Sequence, residues 1–567
     1  MKIKDRIPIE RRWLMMQNEM NSWIAGWKDI QRFIVPTRGF FYETIPNWGR
    51  SIDHKTQLNG APYRALRTLA SGMTSGLTSP SRPWFKLGLQ NHDLMEVEEV
   101  KEWLSTAEQR VYNIFSKSNI YGVFTNLYEE LGGFGTAATI ILEDYDTVIR
   151  ARNFTAGEYA LGQGPDGRVN SFSRRYWMTV GQLVKEFGKE NVTPQVLNQY
   201  ERGIVDPWIR VGHLIDPNDD RIEDKKDYGN KPFRSVQWEV GSPPNMALRI
   251  SGFDEFPVLG PRWDTTTTAH IYGWGPGHHA LGDTKMLMKM ERDKLVALDK
   301  VVDPPMQQDG TVQGEANTLP GGITRTSSSV PNAGARPAYQ ISPDLKAIQE
   351  AINETKAAID ETFFKDMFLM LSQADDPRMT ATEVAERHEE KLLILGPVIE
   401  RLESEFLDPL IERTFNIAMR TRVIPPPPQI LQGQPFKVEY VSTLAQAQRM
   451  VGTTAIQQVV SFVGNLAAAN PQSLDMVDFD EAVRVYSEMM GIPPKIIRSE
   501  DVVQAIRAQK MKQQAAAAAS QNLPAMVDGA KTLSDTRLNQ NSALDALLGN
   551  QPTQGAPAPA GAPGGGQ

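Results

Sequence analysis

Apolar residues recur every three or four positions near the start of the chain, which predicts a helix. Between residues 5 and 35 the large apolar side chains are Trp13, Met16, Met20, Trp23, Trp27 and Ile30. This spacing places them on one face of a helix, and Pro36 ends the pattern. Three tryptophans on one face suit packing against the protein's own body or anchoring at a membrane interface. We expect packing, with a peripheral membrane scaffold as an alternative.

The next part of the chain mixes helical and strand-like patterns. Residues 68–80 are mostly small, which we interpret as a flexible stretch, and residues 82–87 have the pattern of a starting strand. Residues 139–143 and 236–240 also suit strands, and residues 162–167 form a strong turn signal. The sequence therefore predicts an α+β region.

A short helix is predicted inside this α+β region. It covers residues 178–187, and Thr179 is in position to cap its first turn. The small Gly-rich run at residues 131–136 is interpreted as a tight packing turn.

The middle of the chain predicts two long helices around an irregular head. Apolar spacing predicts a helix from Leu281 to Val302, which the pair Pro304 and Pro305 ends. A second helix, about 40 Å long at 1.5 Å per residue, is predicted over residues 345–371. Residues 307–340 between them are either disordered or a small β-type module completed by neighbouring chains, and we favour the module. The pattern indicates a hairpin that projects a tip.

Polar turn residues follow the hairpin, and then helices return. Residues 372–378 break the second helix, and Thr380 with Glu383 forms a possible capping box for another long helix. Prolines at 397 and 409 are expected to kink that helix before residues 425–428 end it. A strand over residues 436–441 and helices over 444–514 come next. The Pro, Gly and Ala of the C-terminal end predict a flexible tail.

Length and composition narrow the class of protein. With 567 residues the chain exceeds the size of one hydrophobic core, and 40% hydrophobic with 23% charged residues is typical of a globular protein. No apolar run suits a signal peptide or a membrane helix, and cysteine is absent. We therefore expect a cytoplasmic protein held together by packing or assembly.

The charge balance argues against tight binding of nucleic acid. There are 60 basic and 68 acidic residues, for a net charge of −8, with no concentrated basic block. Because basic residues supply most non-specific affinity for phosphates, tight DNA binding is not expected. A surface along which DNA slides remains compatible with this balance.

The sequence contains no motif that predicts a catalytic residue, a cofactor site or a metal site. The Gly-rich run at 131–136 lacks the lysine of a phosphate-binding loop, and His388 lacks a second histidine at zincin spacing. His278 and His279 point to different faces of a helix, so a metal site with Asp283 is not expected. A metal-dependent DNA-processing enzyme stays open as the alternative.

Five segments together resemble a known family. They are residues 72–80, 82–85, 272–277, 303–306 and 379–384. In combination they are similar to the head-to-tail connector, or portal protein, of short-tailed bacteriophages of the podovirus type. The resemblance covers about residues 5–500, and the tail from Ala515 onward departs from it.

The resemblance implies a predominantly helical α+β subunit with wing, stem, clip and crown regions. Such subunits assemble into a ring, a dodecamer, around a channel for double-stranded DNA. Carried onto this chain, the regions are an N-terminal helix and wing (1–280), a first stem helix (281–302), a clip (303–342), a second stem helix (343–371), a tunnel loop (372–380), a long wing helix with a returning strand (381–443), a helical crown (444–520) and a flexible tail (521–567).

The resemblance also implies sites, partners and a location. The tunnel loop would bring Gln373, Asp375, Asp376 and Arg378 near DNA, and the clip would dock partners through Leu319, Gly321, Gly322 and Arg325. The implied partners are further copies of the chain, the terminase large subunit, major capsid and scaffolding proteins, tail adaptor and ejection proteins, and DNA without sequence specificity. No membrane partner is implied. The location would be the virion, at the capsid vertex of the head-tail junction, after assembly in the host cytoplasm.

Overall fold

The structure is a computed structural model. It describes residues 5–41, 56–89, 92–95, 97–222, 224–225, 227–267, 270–308, 344–373, 395–431 and 436–441, with isolated shorter stretches within 312–337 and 459–542. The chain divides into two compact units, residues 1–469 and residues 470–567. Almost all described elements belong to the first unit.

The helices of the first unit are numbered in chain order. They are α1 (Ile7–Phe33), α2 (Ala61–Leu77), α3 (His92–Met95), α4 (Glu98–Lys117), α5 (Ile120–Phe134), α6 (Val180–Phe187), α7 (Pro194–Glu201), α8 (Pro276–His279), α9 (Leu281–Val302), α10 (Leu345–Thr362), α11 (Lys365–Gln373) and α12 (Asp408–Arg420). Residues 395–402 are also helical and lead into a π-helical turn at Glu403–Leu407.

The strands form small antiparallel sheets. They are β1 (Phe85–Leu89), β2 (Ala138–Asp144), β3 (Val148–Phe154), β4 (Tyr159–Gln163), β5 (Val169–Thr179), β6 (Trp208–Pro217), β7 (Phe233–Glu239), β8 (Arg249–Phe253), β9 (Val258–Leu259), β10 (Met306–Gln308), β11 (Ala335–Pro337) and β12 (Phe436–Tyr440). The largest sheet has the order β4-β5-β6-β7-β8, and a second has the order β3-β2-β9. In the second unit, β13 (Arg537–Leu538) pairs with β14 (Asn541–Ser542). The prediction of a helix-rich α+β subunit is confirmed.

Helix α1 packs against the five-stranded sheet, as expected from its apolar face. Trp13 and Trp27 are buried, and the Trp13 ring meets the edge of Trp238 of β7 at 5.7 Å between centroids. Gln17 Nε2 donates a hydrogen bond to Ser173 Oγ of β5 at 3.1 Å. Among the described residues, no helix is both long and apolar enough to cross a bilayer.

The small residues 68–80 are not a flexible stretch, and that interpretation was wrong. Most of them belong to α2, whose glycines allow neighbouring helices to come close. A Cβ added to Gly72 would overlap the ring of Phe368 on α11, and one added to Gly132 of α5 would reach Leu69 Cδ2 at 2.6 Å. The small side chains therefore serve helix packing, although composition alone resembles a turn.

Helix α6 has the predicted cap. Gln182 N donates to Thr179 Oγ1 at 3.3 Å, and Thr179 N donates to Gln182 Oε1 at 3.1 Å, which completes a capping box. Val180, Leu183 and Phe187 of α6 belong to a small separate core. This core attaches α6 and α7 to the large sheet.

The predicted single helix over residues 345–371 is in fact two helices. The chain breaks at Phe364, which has a positive φ of 53°, and α11 starts at the next residue. Phe363 is fully buried, while the Phe364 ring stacks on Trp263 at 6.3 Å. The backbone turns between a buried ring and a partly buried ring that stacks on Trp263, so the prediction of one continuous helix was wrong.

Two distant parts of the chain meet in a two-stranded sheet. β1 pairs antiparallel with β12, from Phe85 opposite Tyr440 to Leu89 opposite Phe436. Both strands were predicted and are confirmed. Tyr112 of α4 supports β1, because its hydroxyl donates to Phe85 O at 2.7 Å.

A π-helical turn precedes α12, where kinks at Pro397 and Pro409 were expected. Asp408 N bonds to Glu403 O, five residues back, just before Pro409 in the first turn of α12. Because proline lacks an N–H, the wider turn adjusts the hydrogen bonding ahead of it. Within this turn Glu405 accepts from Arg262 N at 3.0 Å and pairs with its guanidinium.

Candidate functional site

The candidate site is built on the helix pair α9 and α10, whose base is held tightly. A short turn, α8, leads into α9, and a Cβ added to Gly277 in it would lie 2.9 Å from the Gly133 carbonyl carbon of α5. Only glycine permits this approach. The base of α9 is therefore fixed directly to the helical core.

His278 at this base is a packed structural residue, as expected, and is not placed to act in acid-base chemistry. Its Nδ1 accepts a hydrogen bond from Gly275 N at 3.2 Å, and its ring lies 5.1 Å from Trp274 and 6.2 Å from Trp23. Burial, with a smaller contribution from His279, lowers the pKa of His278 to about 4. The ring is thus neutral at physiological pH.

The two helices lie side by side and are joined by polar bridges. Ile352 and Ile359 of α10 are fully buried. Lys294 Nζ of α9 donates to Gln349 Oε1 at 2.6 Å, and Lys356 Nζ of α10 lies 3.4 Å from Glu291 Oε1 of α9. These contacts hold α9 and α10 side by side.

The far end of α9 leaves several apolar side chains in solvent. Their exposed fractions are 50% for Leu295, 44% for Val296, 49% for Val301 and 82% for Val302, followed by 40% for Met306. Single exposed apolar residues are normal, but a run of them at one end of a helix marks a surface for contact. We call these five residues the apolar tip.

Beyond the apolar tip, the two ends of the irregular head are brought together. β10 pairs antiparallel with β11, with Met306 opposite Pro337 and Gln307 opposite Arg336. The expected clip residues Leu319, Gly321 and Gly322 lie outside the described residues. Arg325 is described and exposed.

Helix α11 leads toward the expected tunnel loop. Met367 and Phe368 are buried, and Phe368 packs on Gly72 of α2. Gln373 is the last residue of α11, so it is helical where a loop was expected. Asp375, Asp376 and Arg378 lie outside the described residues, and their placement stays a prediction.

The charges on the helix pair alternate in sign. On α9, for example, Lys289, Glu291, Arg292 and Asp293 follow one another closely. Such a surface lacks the basic stripe that grips phosphates. Within the described part of the chain, no group of three or more His, Asp or Glu side chains is arranged to hold a metal ion.

The sequence pattern does not predict the apolar tip. Apolar spacing, which includes Leu295 and Leu298, predicts the helix but not which of its residues remain exposed. The sequence does carry a signal for exposed apolar residues at this end of α9. Val296, Val301 and Val302 extend the apolar surface around more of the helix than one buried face requires.

Comparison with known proteins places the chain among phage proteins. The model of the family described as "Bacteriophage head to tail connecting protein" matches residues 7–497. The "Probable portal protein" of Bordetella phage BPP-1 is 40% identical over 534 residues, which cover 94% of this chain and 96% of that relative. The "Portal protein" of Salmonella phage epsilon15 matches with the same identity and coverage.

Among solved structures, a chain from the neck of an empty gene transfer agent particle aligns with 80% of this chain and 96% of its own length. The TM-score is 0.35 at 12% identity, too low to establish a shared fold. The match of the family model over nearly the whole length, together with the two relatives at 40% identity, shows the family. The chain belongs to the bacteriophage head-to-tail connecting proteins.

Proposed function

We propose that this chain is a portal subunit, which assembles with further copies of itself into a ring at one vertex of a phage capsid. Double-stranded DNA passes through the centre of the ring during packaging and ejection. Two relatives that bear the name portal protein, at 40% identity over 94% of this chain, support the proposal. The ring is expected to be a dodecamer.

The apolar tip is the structural observation that carries the ring assembly. Val302 is 82% exposed and Leu295 50% exposed in the single chain, although both are large apolar residues. Contact with a neighbouring copy removes this surface from water, which favours association by roughly 25 cal/mol for each Å² buried. Neighbouring α9–α10 pairs would then form the wall of a channel.

The mixed charge of these helices suits a channel through which DNA moves. A basic wall would release counterions from the phosphates and hold the DNA. With acidic and basic side chains interleaved along α9, the wall offers no continuous cationic track. The loop with Asp375, Asp376 and Arg378 would form the constriction, and reversing the charges of Asp375 and Arg378 should alter packaging or DNA retention.

The regions beyond the helix pair would bind partners. Residues 303–342 are proposed to dock the terminase large subunit during packaging and tail adaptor and ejection proteins afterwards. The wing would face the major capsid and scaffolding proteins. Deleting residues 307–340 should abolish terminase docking and ring closure, and a deletion variant that packages DNA would contradict this assignment.

The role is structural, with the energy for packaging supplied by the terminase. Incubating the purified chain with plasmid DNA and Mg²⁺ or Mn²⁺ should leave the plasmid intact. Cleavage under these conditions would favour the metal-dependent DNA-processing enzyme. Within the virion, the ring would lie at the head-tail junction after assembly in the host cytoplasm.

The decisive experiment observes the ring and its dependence on the apolar tip. Negative-stain images of the purified chain should show rings with a central hole. The double variant Leu295→Asp and Val302→Asp should give smaller species in mass photometry, because a buried carboxylate without a partner opposes the interface. Tyr145→Asp, which adds one carboxylate, is the control, since Tyr145 is fully exposed in the turn between β2 and β3.

The outcomes separate assembly from folding. The tip variant should keep the thermal unfolding midpoint of the unassembled wild type, because both substituted side chains are exposed in the single chain. Rings in the control but not in the tip variant support the proposal. Rings of the tip variant would contradict the assigned interface, and wild-type monomers under all conditions would contradict the portal function.

A further inference from the structure

An open cleft of about 660 Å³ lies in the wing, away from the helix pair. Its walls include Arg152 of β3, Tyr176 and Met178 of β5, Lys185 of α6 and Trp208 of β6. The cleft thus borders the outer side of β5 where that strand approaches α6. It has no part in the proposed ring interface.

β5 has an open edge at this cleft. β4 pairs with β5 only as far as Tyr159 opposite Arg174, whereas β6 continues to Trp208 opposite Thr179. The end of β5 after Arg174 therefore has a strand neighbour on one side only, among the described residues, although Thr179 N there already donates to Gln182. An open strand edge offers main-chain donors and acceptors to another chain.

The register shows which main-chain groups face outward. Arg210 O accepts a hydrogen bond from Val240 N, so the main chain of Arg210 faces away from β5. Trp177 is opposite Arg210, and opposite residues in an antiparallel pair either both face each other or both face away. The N–H and C=O of Trp177 therefore point out from the open edge.

The side chains around this edge are basic and aromatic. Arg152 is 59% exposed and forms a long ion pair of 3.9 Å with the buried Glu158. The Arg210 guanidinium lies 4.8 Å from the Trp177 ring. Burial and the nearby Arg210 lower the pKa of Arg175 to about 10, as expected where cations crowd together. The nearby acid Glu186 is bridged to Arg249 at 3.1 Å. The cleft therefore presents positive charge beside exposed aromatic surface.

We propose that this cleft binds an acidic, extended peptide segment of another protein, which adds as a strand to the outer edge of β5. The charge of Arg152 and Lys185 selects acidic side chains, and the half-exposed Trp208 supplies an apolar contact. A nucleic acid also suits basic and aromatic groups. A peptide is favoured because its main chain supplies both the donor and the acceptor that Trp177 requires.

The test uses the purified full-length chain and a synthetic peptide. The probe is three repeats of Glu-Thr-Glu-Val with a fluorescein label, and its binding is followed by fluorescence anisotropy. Two N-methylated versions carry methyl groups on alternate residues, in opposite phases. Because alternate N–H groups of a strand point to opposite sides, only one phase blocks pairing with β5.

Strand addition predicts a difference between the two phases. The peptide methylated in the blocking phase should bind about tenfold more weakly than the unmodified peptide, or worse. The peptide methylated in the other phase should bind within about twofold of the unmodified peptide. Equal binding of the two phases would overturn strand addition. Tighter binding of oligothymidylate than of the peptide would overturn the choice of partner.

Charge variants test the assignment of the cleft. The double variant Arg152→Glu and Lys185→Glu should bind the acidic peptide about tenfold more weakly or worse. It should instead prefer a peptide with Lys in place of Glu. Arg110→Glu with Lys117→Glu, both on the exposed side of α4, is the matched control of equal charge change. Equal loss in both double variants would contradict this cleft as the binding site, as would failure of the wild type to bind.

Discussion

Gly72 is predicted to be a position where even one methyl group disturbs the protein. It lies inside α2, where alanine is usually better than glycine by about 1 kcal/mol. A Cβ added there would overlap the ring of Phe368 and lie 2.5 Å from Phe368 Cβ. The change Gly72→Ala therefore sets a gain in helix propensity against a steric clash.

The clash should outweigh the gain. The atoms that the new methyl meets are at the base of the Phe368 side chain, so a rotation of the ring cannot relieve the overlap. Relief requires α11 to shift from α2, and overpacking of this kind costs about 2–3 kcal/mol. After subtracting about 1 kcal/mol of helix propensity, the net destabilisation is about 1–2 kcal/mol.

Hydrogen exchange of the α11 amides measures this effect where it arises. Gly72→Ala should reduce their protection about tenfold, which corresponds to about 1.4 kcal/mol. Gly26→Ala is the control, because Gly26 lies inside α1 and an added Cβ would meet nothing within 4 Å. This control should raise the thermal midpoint slightly and leave α11 unchanged.

Two results would refute the reasoning. One is a Gly72→Ala variant as stable as Gly26→Ala, with α11 exchanging at the wild-type rate. The other is that Gly72→Ala lowers the free energy of unfolding by the same amount in a Phe368→Ala background as in the wild type. Removing the ring should lower that cost by about 1 kcal/mol, since contacting residues are not additive.

Three further predictions concern single interactions in the first unit. Burial raises the pKa of Glu130 from 4.5 to about 7, so the native state binds this proton more tightly than the unfolded state does. Stability should therefore fall as the pH rises from 4.5 to 7, and Glu130→Gln should flatten the slope of the thermal midpoint against pH. Arg262→Ala removes the guanidinium that pairs with Glu405 and leaves only the main-chain N–H of residue 262, so it should cost about 3–5 kcal/mol. Denaturant melts of the wild type and the variant would measure this cost, and an unchanged midpoint would contradict the pairing. Thr179→Ala removes the cap of α6 and should cost about 1 kcal/mol, which would appear as faster exchange of α6 amides, while Thr179→Ser should retain the cap.

Features encoded by neighbouring residues could be predicted from the sequence. The cap at Thr179 is complete within four residues, and Pro304 and Pro305 follow the C-cap residue of α9. The spacing of apolar residues in α1 predicts which face of the helix is buried, and Trp13 and Trp27 on that face are buried. Local signals of this kind need no knowledge of the rest of the fold.

Features that depend on distant partners could not be predicted. Gly72 is needed because Phe368 packs on it, and the sequence around residue 72 contains no pattern that predicts this contact. At the break, Phe364 stacks on the distant Trp263, while the apolar spacing along the sequence continues through the break without interruption. For the candidate site, the helix pair was predicted, but the exposure of Val302 at its end depends on the surrounding fold.

The pairing of β1 with β12 also sets the order of events during synthesis. About 350 residues separate the two strands, so at 5–20 residues per second β1 waits roughly 20–70 s for its partner to leave the ribosome. During that interval the edge of Phe85–Leu89 is open to other nascent chains. Because α9 and α10 lie between these strands in the chain, the first unit can close only after both helices have been made, and every completed first unit already contains them.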